Sequence, residues 1–390
     1  MNNKVYVVKC PSYDQVEEKI GELLEMMGGI EQFAAPDENI ALKANLLVAA
    51  DPEKAITTHP TLAAAIGRLT KDQGANAFII DSPSGAYQYS ERTLKRVYRA
   101  CGMSNAAQEA GITLNFDTTY QPVSFPEGKL VQHFDILTPL VKADKVFNLC
   151  KLKTHTLMTM TGAVKNIFGA IPGRAKPGFH ANLQDPPLFA QMLLDLANCV
   201  APRLSIMDAV VGMEGDGPSN GQPRHIGLLL ASENPLALDV VAGEIIGLPS
   251  ERNPILVEAK KRGALPYRLE DIDLIGIDPS ELCIPNFILP ATFAAHTSWL
   301  LQIFSPLIKK LFSLEPRIVK DDCIACGDCR EICPMQAITI QEDKSNAGKK
   351  YAVINYDECI HCYCCHEVCP QDAIELRKSF LYRIFNTLNV

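Results

Sequence analysis

The C-terminal cysteines constrain this chain more than any other feature of its sequence. The pattern C-x2-C-x2-C-x3-C, followed by proline, occurs twice, 36 residues apart. Thiolates at this spacing hold three corners of a [4Fe–4S] cubane, and the fourth cysteine of each run binds the cluster of the other run. The pattern therefore predicts two clusters, the first on Cys323, Cys326, Cys329 and Cys369, the second on Cys359, Cys362, Cys365 and Cys333.

Two alternatives to this assignment are open in the sequence. A structural zinc site also uses cysteines, but zinc ribbons have two C-x2-C pairs rather than three evenly spaced cysteines and a fourth before proline. The second alternative concerns Cys364, a ninth cysteine inside the second run. It either competes with Cys365 as a ligand or is a free thiol beside the cluster, and the spacing favours Cys365 as the ligand.

Residues 317–377 resemble the bacterial-type ferredoxins that carry two [4Fe–4S] clusters. The two halves of this segment repeat each other, because Asp322-Cys323-Ile324 corresponds to Glu358-Cys359-Ile360 and Ala337-Ile338 corresponds to Ala373-Ile374. The resemblance implies a small α+β domain that transfers single electrons through its two clusters.

The negative charge of the chain is concentrated in this segment. The formal net charge is −8, and residues 321–375 contain eleven Asp or Glu against four Lys or Arg. Nucleic-acid binding needs a basic surface, so a nucleic-acid partner is not expected. An acidic face favours a redox partner protein with a basic face, whose docking it would speed and orient. A merely solvated acidic surface would give the same composition.

The larger, N-terminal part of the chain predicts an α/β domain over residues 1–280. Nearly continuous apolar runs are typical of strands buried on both faces, and their alternation with helical patterns indicates a mostly parallel central sheet. The predicted strands are 5–8, 40–47, 77–80, 145–150, 204–211 and 225–231, and the predicted helices are 15–27, 61–73, 90–101 and 236–246. No GxGxxG or GxxxxGK[ST] motif follows a strand, so a dinucleotide or P-loop site is not supported.

Polar residues gather at the ends of these predicted strands, which is where open α/β sheets bind their ligands. Four groups lie at or just after predicted strands, and the third is followed by polar residues in a predicted helix and beyond it. The residues are Lys43, Asn45, Asp81, Lys151, Lys153, His155, Lys165, Asn166, His180, Asp208, Glu214 and Asp216. Residues 212–218 are too rich in glycine for a helix, and such a loop can close over an anion, help to hold a cation or form an ordinary turn.

Within this set, Lys153, His155, Lys165 and His180 are the candidate catalytic residues. Two lysines and two histidines around a Thr/Gly-rich turn can clamp a carboxylate or phosphate, and a histidine can donate the proton that follows an electron. The candidates for substrate binding are Lys43, Asn45, Asp81, Asn166, Asp208, Glu214 and Asp216. The alternative is a solvated loop with a hydrogen-bonded histidine.

Three of these motifs are similar to those of the family named for domain of unknown function 362. They are Lys153-Thr154-His155, Val164-Lys165-Asn166 with Gly169, and Glu214-Gly215-Asp216-Gly217-Pro218. The resemblance covers residues 4–250 and implies association with iron–sulfur proteins, because the family is often fused to ferredoxin modules, but it implies no established reaction. A more distant similarity is to the N-terminal domain of nickel-pincer lactate racemases, with which no metal motif aligns.

Two further segments and the location complete the prediction. Residues 281–316 predict a proline-punctuated connector and residues 378–390 an amphipathic tail, each of which either packs on the protein or touches a membrane surface at its periphery. Pro306 interrupts the longest apolar run, so a transmembrane helix is not expected. The absence of a secretory signal and the fourteen cysteines indicate the reducing cytoplasm.

The sequence thus predicts an iron–sulfur electron-transfer protein, with three hypotheses for its function. In the first, the α/β domain binds a small anionic substrate and the chain is an oxidoreductase. In the second, the chain catalyses nothing itself and the α/β domain is a docking or ligand-sensing module. In the third, it is a peripheral membrane redox subunit. The first two differ in whether the candidate residues enclose a pocket or lie on a flat face.

Overall fold

The computed structural model describes residues 3–84, 88–264, 266–291, 314–343, 346 and 348–378. Its strands are β1 Lys4–Lys9, β2 Asn39–Lys43, β3 Asn76–Ile80, β4 Thr113–Leu114, β5 Tyr120–Ser124, β6 His133–Leu137, β7 Lys145–His155, β8 Thr159–Thr161, β9 Leu204–Glu214, β10 Gln222–Ser232, β11 Asp273–Ile275, β12 Leu314–Ile318, β13 Ile338–Glu342, β14 Lys350–Ile354 and β15 Ile374–Lys378. Its α-helices are α1 Val16–Met26, α2 Pro60–Asp72, α3 Glu91–Ala100, α4 Met103–Ala110, α5 Thr138–Lys142, α6 Ala163–Asn166, α7 Lys176–Asn182, α8 Pro186–Val200, α9 Pro235–Ile245, α10 Pro254–Lys261, α11 Asp328–Ile332 and α12 Cys364–Val368.

One nine-stranded sheet organises the N-terminal domain. Its strand order is β11-β1-β10-β9-β7-β2-β3-β4, and β8 pairs with the end of β7. Five of the neighbouring pairs are parallel, and the three pairs β1·β10, β10·β9 and β7·β8 are antiparallel. The predicted α/β class with a mostly parallel sheet is confirmed. The direction of β10 was not predictable from its apolar run, because the run is the same for either direction.

Alternate residues of the central strands pack into different hydrophobic clusters, one on each face of the sheet. In β2, Leu42 packs with α1 and α2, whereas its neighbour Ala41 packs with α8. Two of the covering helices begin with Asn–Pro. The side chains of Asn234 and Asn253 accept backbone N–H groups of the first turn, and the proline that follows each has no N–H group to satisfy.

The carboxyl ends of β2, β3, β7 and β9 lie along one edge of the sheet, because these strands are mutually parallel. β7 continues beyond this edge, from Asn148, the partner of Lys43, to His155. β9 likewise continues to Glu214, where a turn leads into β10. The extended strands raise a wall above the sheet edge. Gly217 of the turn packs against Thr154 of β7 so closely that an added Cβ would lie 2.3 Å from the Thr154 carbonyl oxygen.

The C-terminal domain is small and consists of two similar halves. β12 pairs with β15 and β13 with β14, both antiparallel, and each half contributes one short helix, α11 or α12. The repeat extends to the backbone. Residues with positive φ angles occur in pairs 36 positions apart, at Ala325 and His361, Gly327 and Tyr363, and Gln336 and Asp372.

The structure also locates the ends of the predicted connector. Residues 281–291 pack on the α/β domain, where Leu282 is buried and the N–H of Ile284 donates to the carbonyl of Ile245 at 2.8 Å. β12 begins at Leu314, so the small domain begins before residue 317. The rest of the connector, and the predicted tail beyond Lys378, lie outside the described residues. Within the described residues no helix has the length and apolar character needed to cross a membrane.

Candidate functional site

The eight predicted cluster ligands lie around two separate cavities of about 360 Å³ each, counting the open solvent at their mouths. The wall of the first contains Cys323, Cys326, Cys329 and Cys369, and the wall of the second contains Cys333, Cys359, Cys362 and Cys365. Each cavity therefore takes three cysteines from one half and the fourth from the other half, as the spacing predicts. Cys364 also lines the second cavity, as a fifth thiol beside the four predicted ligands.

The surroundings of these sulfurs fit iron–sulfur clusters. Backbone N–H groups of Ala337, Ala352 and Ala373 donate to the sulfurs of Cys333, Cys323 and Cys369 at 3.3, 3.4 and 3.2 Å. Such donors favour the thiolate form and tune bound clusters. Burial and the neighbouring thiols raise the pKa of Cys329 to about 12, so this sulfur keeps its proton until a metal replaces it.

A third cavity lies between the two domains, at the carboxyl edge of the sheet. It encloses about 670 Å³, counting its open mouth. Its floor and sides come from the strand ends and from α6 and α7, and its roof comes from Ile332 of α11 and from Cys364 and Glu367 of α12. We call this cavity the cleft. Cys364 lines both the cleft and the second cysteine cavity, so the two are adjacent.

Three lysines line the cleft, each in a different hydrogen-bonding state. Lys153 donates to the carbonyl of Ile56 at 2.6 Å, and Lys176 donates to the carbonyls of Ser82 and Pro83. Lys165 has no hydrogen-bond or ion-pair partner among the described residues, which leaves three N–H donors for a ligand.

The pKa values of these lysines follow from their burial. Burial and the charge of Lys165 lower the pKa of Lys153 well below its usual value, although Glu367 opposes the shift. Burial likewise lowers the pKa of Lys165, and lowers that of Lys176 to about 7. A bound anion would offset this desolvation, so anion binding favours the protonated lysines.

Two of the predicted histidines lie in or beside the cleft, and both are neutral near pH 7. The Nδ1 atom of His155 accepts the N–H groups of Leu157 and Met158, so the ring proton is on Nε2. Burial and Lys165 lower the pKa of His155 well below its usual value. His180 stacks on Phe189 at 4.6 Å between ring centroids, and burial lowers the pKa of His180 to about 3.

Glu367 brings a carboxylate of the C-terminal domain into this basic site. Its Oε1 atom lies 3.4 Å from the Nε2 atom of His155, and its charge interacts with Lys165 and Lys153. Burial raises the pKa of the Glu367 carboxyl to about 7, against the lowering by the two lysines.

The turn between β9 and β10 holds α12 in this position. The Oγ atom of Ser219 donates to the carbonyl of Glu367 at 2.6 Å, and the side-chain amide of Asn220 donates to the carbonyl of His366 at 3.0 Å. The imidazole of His366 lies between the carbonyls of Ile374 and Asp216. The turn between β9 and β10, which includes the end of the glycine-rich loop, therefore contacts the other domain.

Several predicted ligand-binding residues lie outside the cleft or have their polar groups bound by the protein. Lys43 forms a buried ion pair with Asp81 at 2.7 Å, and of the two only Asp81 reaches the wall of the cleft. Lys151 forms a second buried pair with Asp208 at 2.8 Å, away from the cleft.

The Lys151–Asp208 pair is surrounded by protein donors and aromatic rings. Asp208 accepts from the hydroxyl of Tyr13 at 3.0 Å and from the N–H of His59 at 2.9 Å, and the rings of Tyr13 and His59 stack. The carboxylates of the glycine-rich loop are also committed, because Glu214 accepts the N–H of Ile288 and Asp216 accepts the N–H of Ala291. The polar groups of Lys151, Asp208, Glu214 and Asp216 thus have partners within the protein.

The cleft thus brings together six of the predicted residues and adds others that the sequence did not indicate. The predicted residues on its wall are Asn45, Asp81, Lys153, Lys165, Asn166 and His180. The additions with polar side chains include Thr161, Lys176 and Glu367, and Ser82, which directly follows Asp81, is also on the wall. Six polar atoms of the cleft are buried without a hydrogen-bond partner in the part of the chain that the structure describes, namely Asn45 Oδ1, Asp81 Oδ1, Ser82 Oγ, Thr161 Oγ1, His180 Nδ1 and Glu367 Oε1. Of these, Asp81 Oδ1 forms the ion pair with Lys43, and Glu367 Oε1 lies 3.4 Å from the Nε2 atom of His155. Unpaired buried polar atoms are costly, so this set favours a polar ligand.

Comparisons with known proteins agree with both resemblances drawn from the motifs. The family model described as domain of unknown function (DUF362) matches residues 40–244, and the model described as 4Fe-4S dicluster domain matches residues 322–373. The thylakoid-associated protein sll1697 of Synechocystis sp. is 32% identical over 299 residues, which cover 74% of this chain and 88% of that protein. The lactate racemase apoprotein of Thermoanaerobacterium thermosaccharolyticum aligns with a TM-score of 0.38 at 15% identity, over 61% of this chain and 56% of the racemase, and no functional inference follows from it.

Proposed function

Because this chain belongs to the DUF362 family and carries a 4Fe-4S dicluster domain, we propose that it is an iron–sulfur oxidoreductase acting on a small organic anion in the cleft. The dicluster domain itself supports iron–sulfur electron transfer. One observation carries the proposal further. A cleft with three lysines on its wall shares Cys364 with the cavity of the second cysteine set. A ligand in the cleft would therefore lie beside the second set of cluster ligands.

The proposed reaction moves single electrons between a carrier protein and the bound anion. When bound, the two [4Fe–4S] clusters supply the one-electron chemistry. A reduced carrier protein is the electron donor, and the acidic surface of the dicluster domain suits a carrier with a basic face. The α/β domain binds and orients the anion and shields it from water.

Lys165 is the principal anion-binding residue in this proposal. Its ammonium group has no partner among the described residues, and charge-assisted hydrogen bonds to a carboxylate are about twice as strong as neutral ones. Lys153 adds a second positive charge beside it. Ser82, Thr161 and His180 offer further hydrogen-bonding atoms that orient the ligand.

Lys176 is a better proton donor for this reaction than either histidine. An electron that enters a buried anion is followed by a proton, and the efficient donor has a pKa near the working pH. The pKa of Lys176 is lowered to about 7, whereas that of His180 is lowered to about 3 and that of His155 also falls well below its usual value. We therefore assign proton transfer to the ammonium group of Lys176.

A cytoplasmic location remains part of the proposal, and the Synechocystis relative adds a specific alternative. That relative is named as thylakoid-associated, which supports testing this chain for peripheral association with membranes. Cell fractionation at low and high salt separates a protein that stays in the supernatant from one that salt releases from membranes.

The proposed function is tested with reduced, cluster-loaded protein under anaerobic conditions. The protein is mixed with pooled metabolites, and cluster absorbance reports reoxidation. We expect one compound to reoxidise the wild type, and the double variant Lys153→Met and His155→Gln to lose this reaction with its cluster spectrum intact. The control is Lys349→Met, which removes a partly exposed lysine that pairs with Asp321 in the dicluster domain. Reoxidation by added redox proteins alone would overturn the enzyme assignment and favour an electron carrier with a docking domain.

A further inference from the structure

Glu367 differs in exposure from its equivalent in the other half of the dicluster domain. Subtracting the 36-residue period gives Glu331, which follows Cys329 as Glu367 follows Cys365. The side chain of Glu331 is 63% exposed, whereas that of Glu367 is 11% exposed. The same residue type in the same local structure thus faces water in one half and the cleft in the other.

Within the cleft, the side chain of Glu367 lies on the same wall as Lys153 and Lys165. Its Oε1 atom lies 3.4 Å from the Nε2 atom of His155 and receives no hydrogen bond among the described residues. The side-chain oxygen of Asn45 is a second acceptor in the cleft without a donor. The cleft therefore has acceptor atoms that need a donor from the ligand, in addition to ammonium groups that need an anion.

The charges on the cleft wall limit the charge of the ligand. Lys153, Lys165 and Lys176 offer ammonium groups to a bound anion, and the negative charge of Asp81 is paired with Lys43 behind the wall. Glu367, in its ionised form, adds one negative charge to the same wall. A second carboxylate on the ligand, placed near Glu367, would meet like-charge repulsion in a poorly solvated site.

We propose that Glu367 sets the ligand specificity of the cleft, which selects small monocarboxylates that also carry a hydrogen-bond donor. The ligand carboxylate lies on the Lys165 and Lys153 side, and its hydroxyl or amino group donates to Glu367. The dicluster domain thereby supplies a ligand-contacting residue as well as electrons. This inference rests on the proposed function, because it assumes that the cleft binds an organic anion.

The test compares three probes that differ in charge and donors. Acetate is a monoanion without a donor, glycolate is a monoanion with a hydroxyl donor, and malonate is a dianion. Their proton relaxation is measured at about pH 8 with cluster-loaded protein that has been reduced photochemically, so that no chemical reductant competes for the cleft. Paramagnetic relaxation by the reduced clusters reports both binding and closeness to the cluster domain.

We expect glycolate to bind the wild type about tenfold more tightly than acetate, and malonate to bind no better than acetate. Glu367→Gln removes the charge with little change of shape. In this variant malonate should gain about tenfold in affinity and the preference for glycolate over acetate should shrink. The matched control, Glu331→Gln, should retain the wild-type order of the probes, and iron content and absorbance verify that both variants carry their clusters.

The outcomes separate this inference from the function on which it rests. If the probes bind in a manner that Lys165→Met abolishes, but Glu367→Gln leaves their order unchanged, the specificity role of Glu367 is wrong and the anion site stands. If no probe shows relaxation enhancement with the wild type or with Glu367→Gln, the anion site itself is wrong, and the inference falls with it.

Discussion

The two halves of the dicluster domain have the same cysteine spacing and the same backbone, but their helices face different surroundings. In the first half, Arg330 and Glu331 of α11 are exposed to solvent. In the second half, the equivalent residues of α12, His366 and Glu367, are buried against the α/β domain. The comparison shows that the cysteine spacing determines how each cluster is bound, whereas the contacts of the neighbouring helix determine whether the cluster lies near solvent or near the cleft.

The outward half has the features of a docking edge. Ile324, on the wall of the first cysteine cavity, is an exposed apolar residue, and Asp321 and Asp322 just before it in the chain are exposed acidic residues. The inward half has the cleft. Electrons would accordingly enter at the first half from a carrier protein and leave at the second half toward the ligand.

The loops of the two halves also differ in how they reach the left-handed backbone conformation. Gly327 adopts it at φ 90°, where glycine has no steric penalty, whereas Tyr363 adopts it at φ 63°. The tyrosine is buried, and its hydroxyl donates to the carbonyl of Leu314 at 3.2 Å. Packing thus stabilises in the second half a conformation that glycine provides in the first.

The sharpest way to break this comparison is to remove one cysteine from each half. Cys326→Ala and Cys362→Ala are equivalent changes, and each should lower the iron content from about eight toward about four. Cys362→Ala should abolish reoxidation by the small molecule in the cleft, because the cluster beside the cleft loses one of its four cysteine ligands. Cys326→Ala should keep this reaction in a single turnover after direct photochemical reduction. The reverse result would place the electron exit at the first half.

Lys165→Met should weaken anion binding by about 10- to 100-fold, because its ammonium group, which has no partner among the described residues, contributes charge-assisted hydrogen bonds to the anion. Titration of acetate or glycolate into the cluster-loaded protein measures the change. Lys349→Met removes a lysine from the dicluster surface and should leave the affinity unchanged. Equal effects of the two substitutions would mean that the anion responds to overall charge rather than to the cleft.

Anion affinity should decrease as the pH rises above about 7. Burial lowers the pKa of Lys176 to about 7, with Asp81 raising it and Lys43 and Lys165 lowering it further. Above this pH the free protein loses the proton, so that binding must take one up, and affinity falls by up to about tenfold per pH unit. Below it the ammonium of Lys176 is already present, so the part of the pH dependence that Lys176 causes levels off.

Calorimetry in buffers of different ionisation enthalpy measures the uptake of protons on anion binding. Lys176→Met should remove part of this uptake at pH 8. Proton release on binding, or an affinity that rises with pH, would contradict the assigned direction.

The smallest expected effect concerns the docking of α12. Asn220→Ala removes the hydrogen bond to the carbonyl of His366 and should destabilise the docked state by about 1 kcal/mol. Hydrogen exchange should accelerate at the amides of α12 and stay unchanged at those of α11. Arg330→Ala, at the exposed equivalent of His366, should alter neither helix. Faster exchange in both helices after Asn220→Ala would show that the substitution unfolds the domain rather than undocks it.

The sequence predicted the structure best where the geometry depends on the spacing of a few neighbouring residues. The cysteine repeat predicted how eight sulfurs divide between two cavities, and the ends of apolar runs predicted the sheet edge where Lys153, Lys165 and His180 meet. Both rest on local rules, since ligand spacing and strand ends are properties of a few neighbouring residues.

The sequence could not predict contacts that depend on packing between distant segments. Lys43 and Asp208 were expected to bind substrate, but each has a buried partner of opposite charge on another strand or loop. Lys176 donates to carbonyls more than ninety residues earlier in the chain, and Glu367 enters the cleft through the docking of a separate domain. No local periodicity distinguishes these residues from exposed ones.

The turn between β9 and β10 has a consequence for assembly. Asp216 binds the N–H of Ala291, just before the undescribed part of the connector, and Ser219 and Asn220 bind α12. The same turn thus binds both the N-terminal part of the connector and helix α12 of the dicluster domain. Docking is then an intramolecular event whose extent does not depend on protein concentration, so that a few hydrogen bonds suffice for it. A ferredoxin supplied as a separate chain would need a much larger interface to occupy the same place.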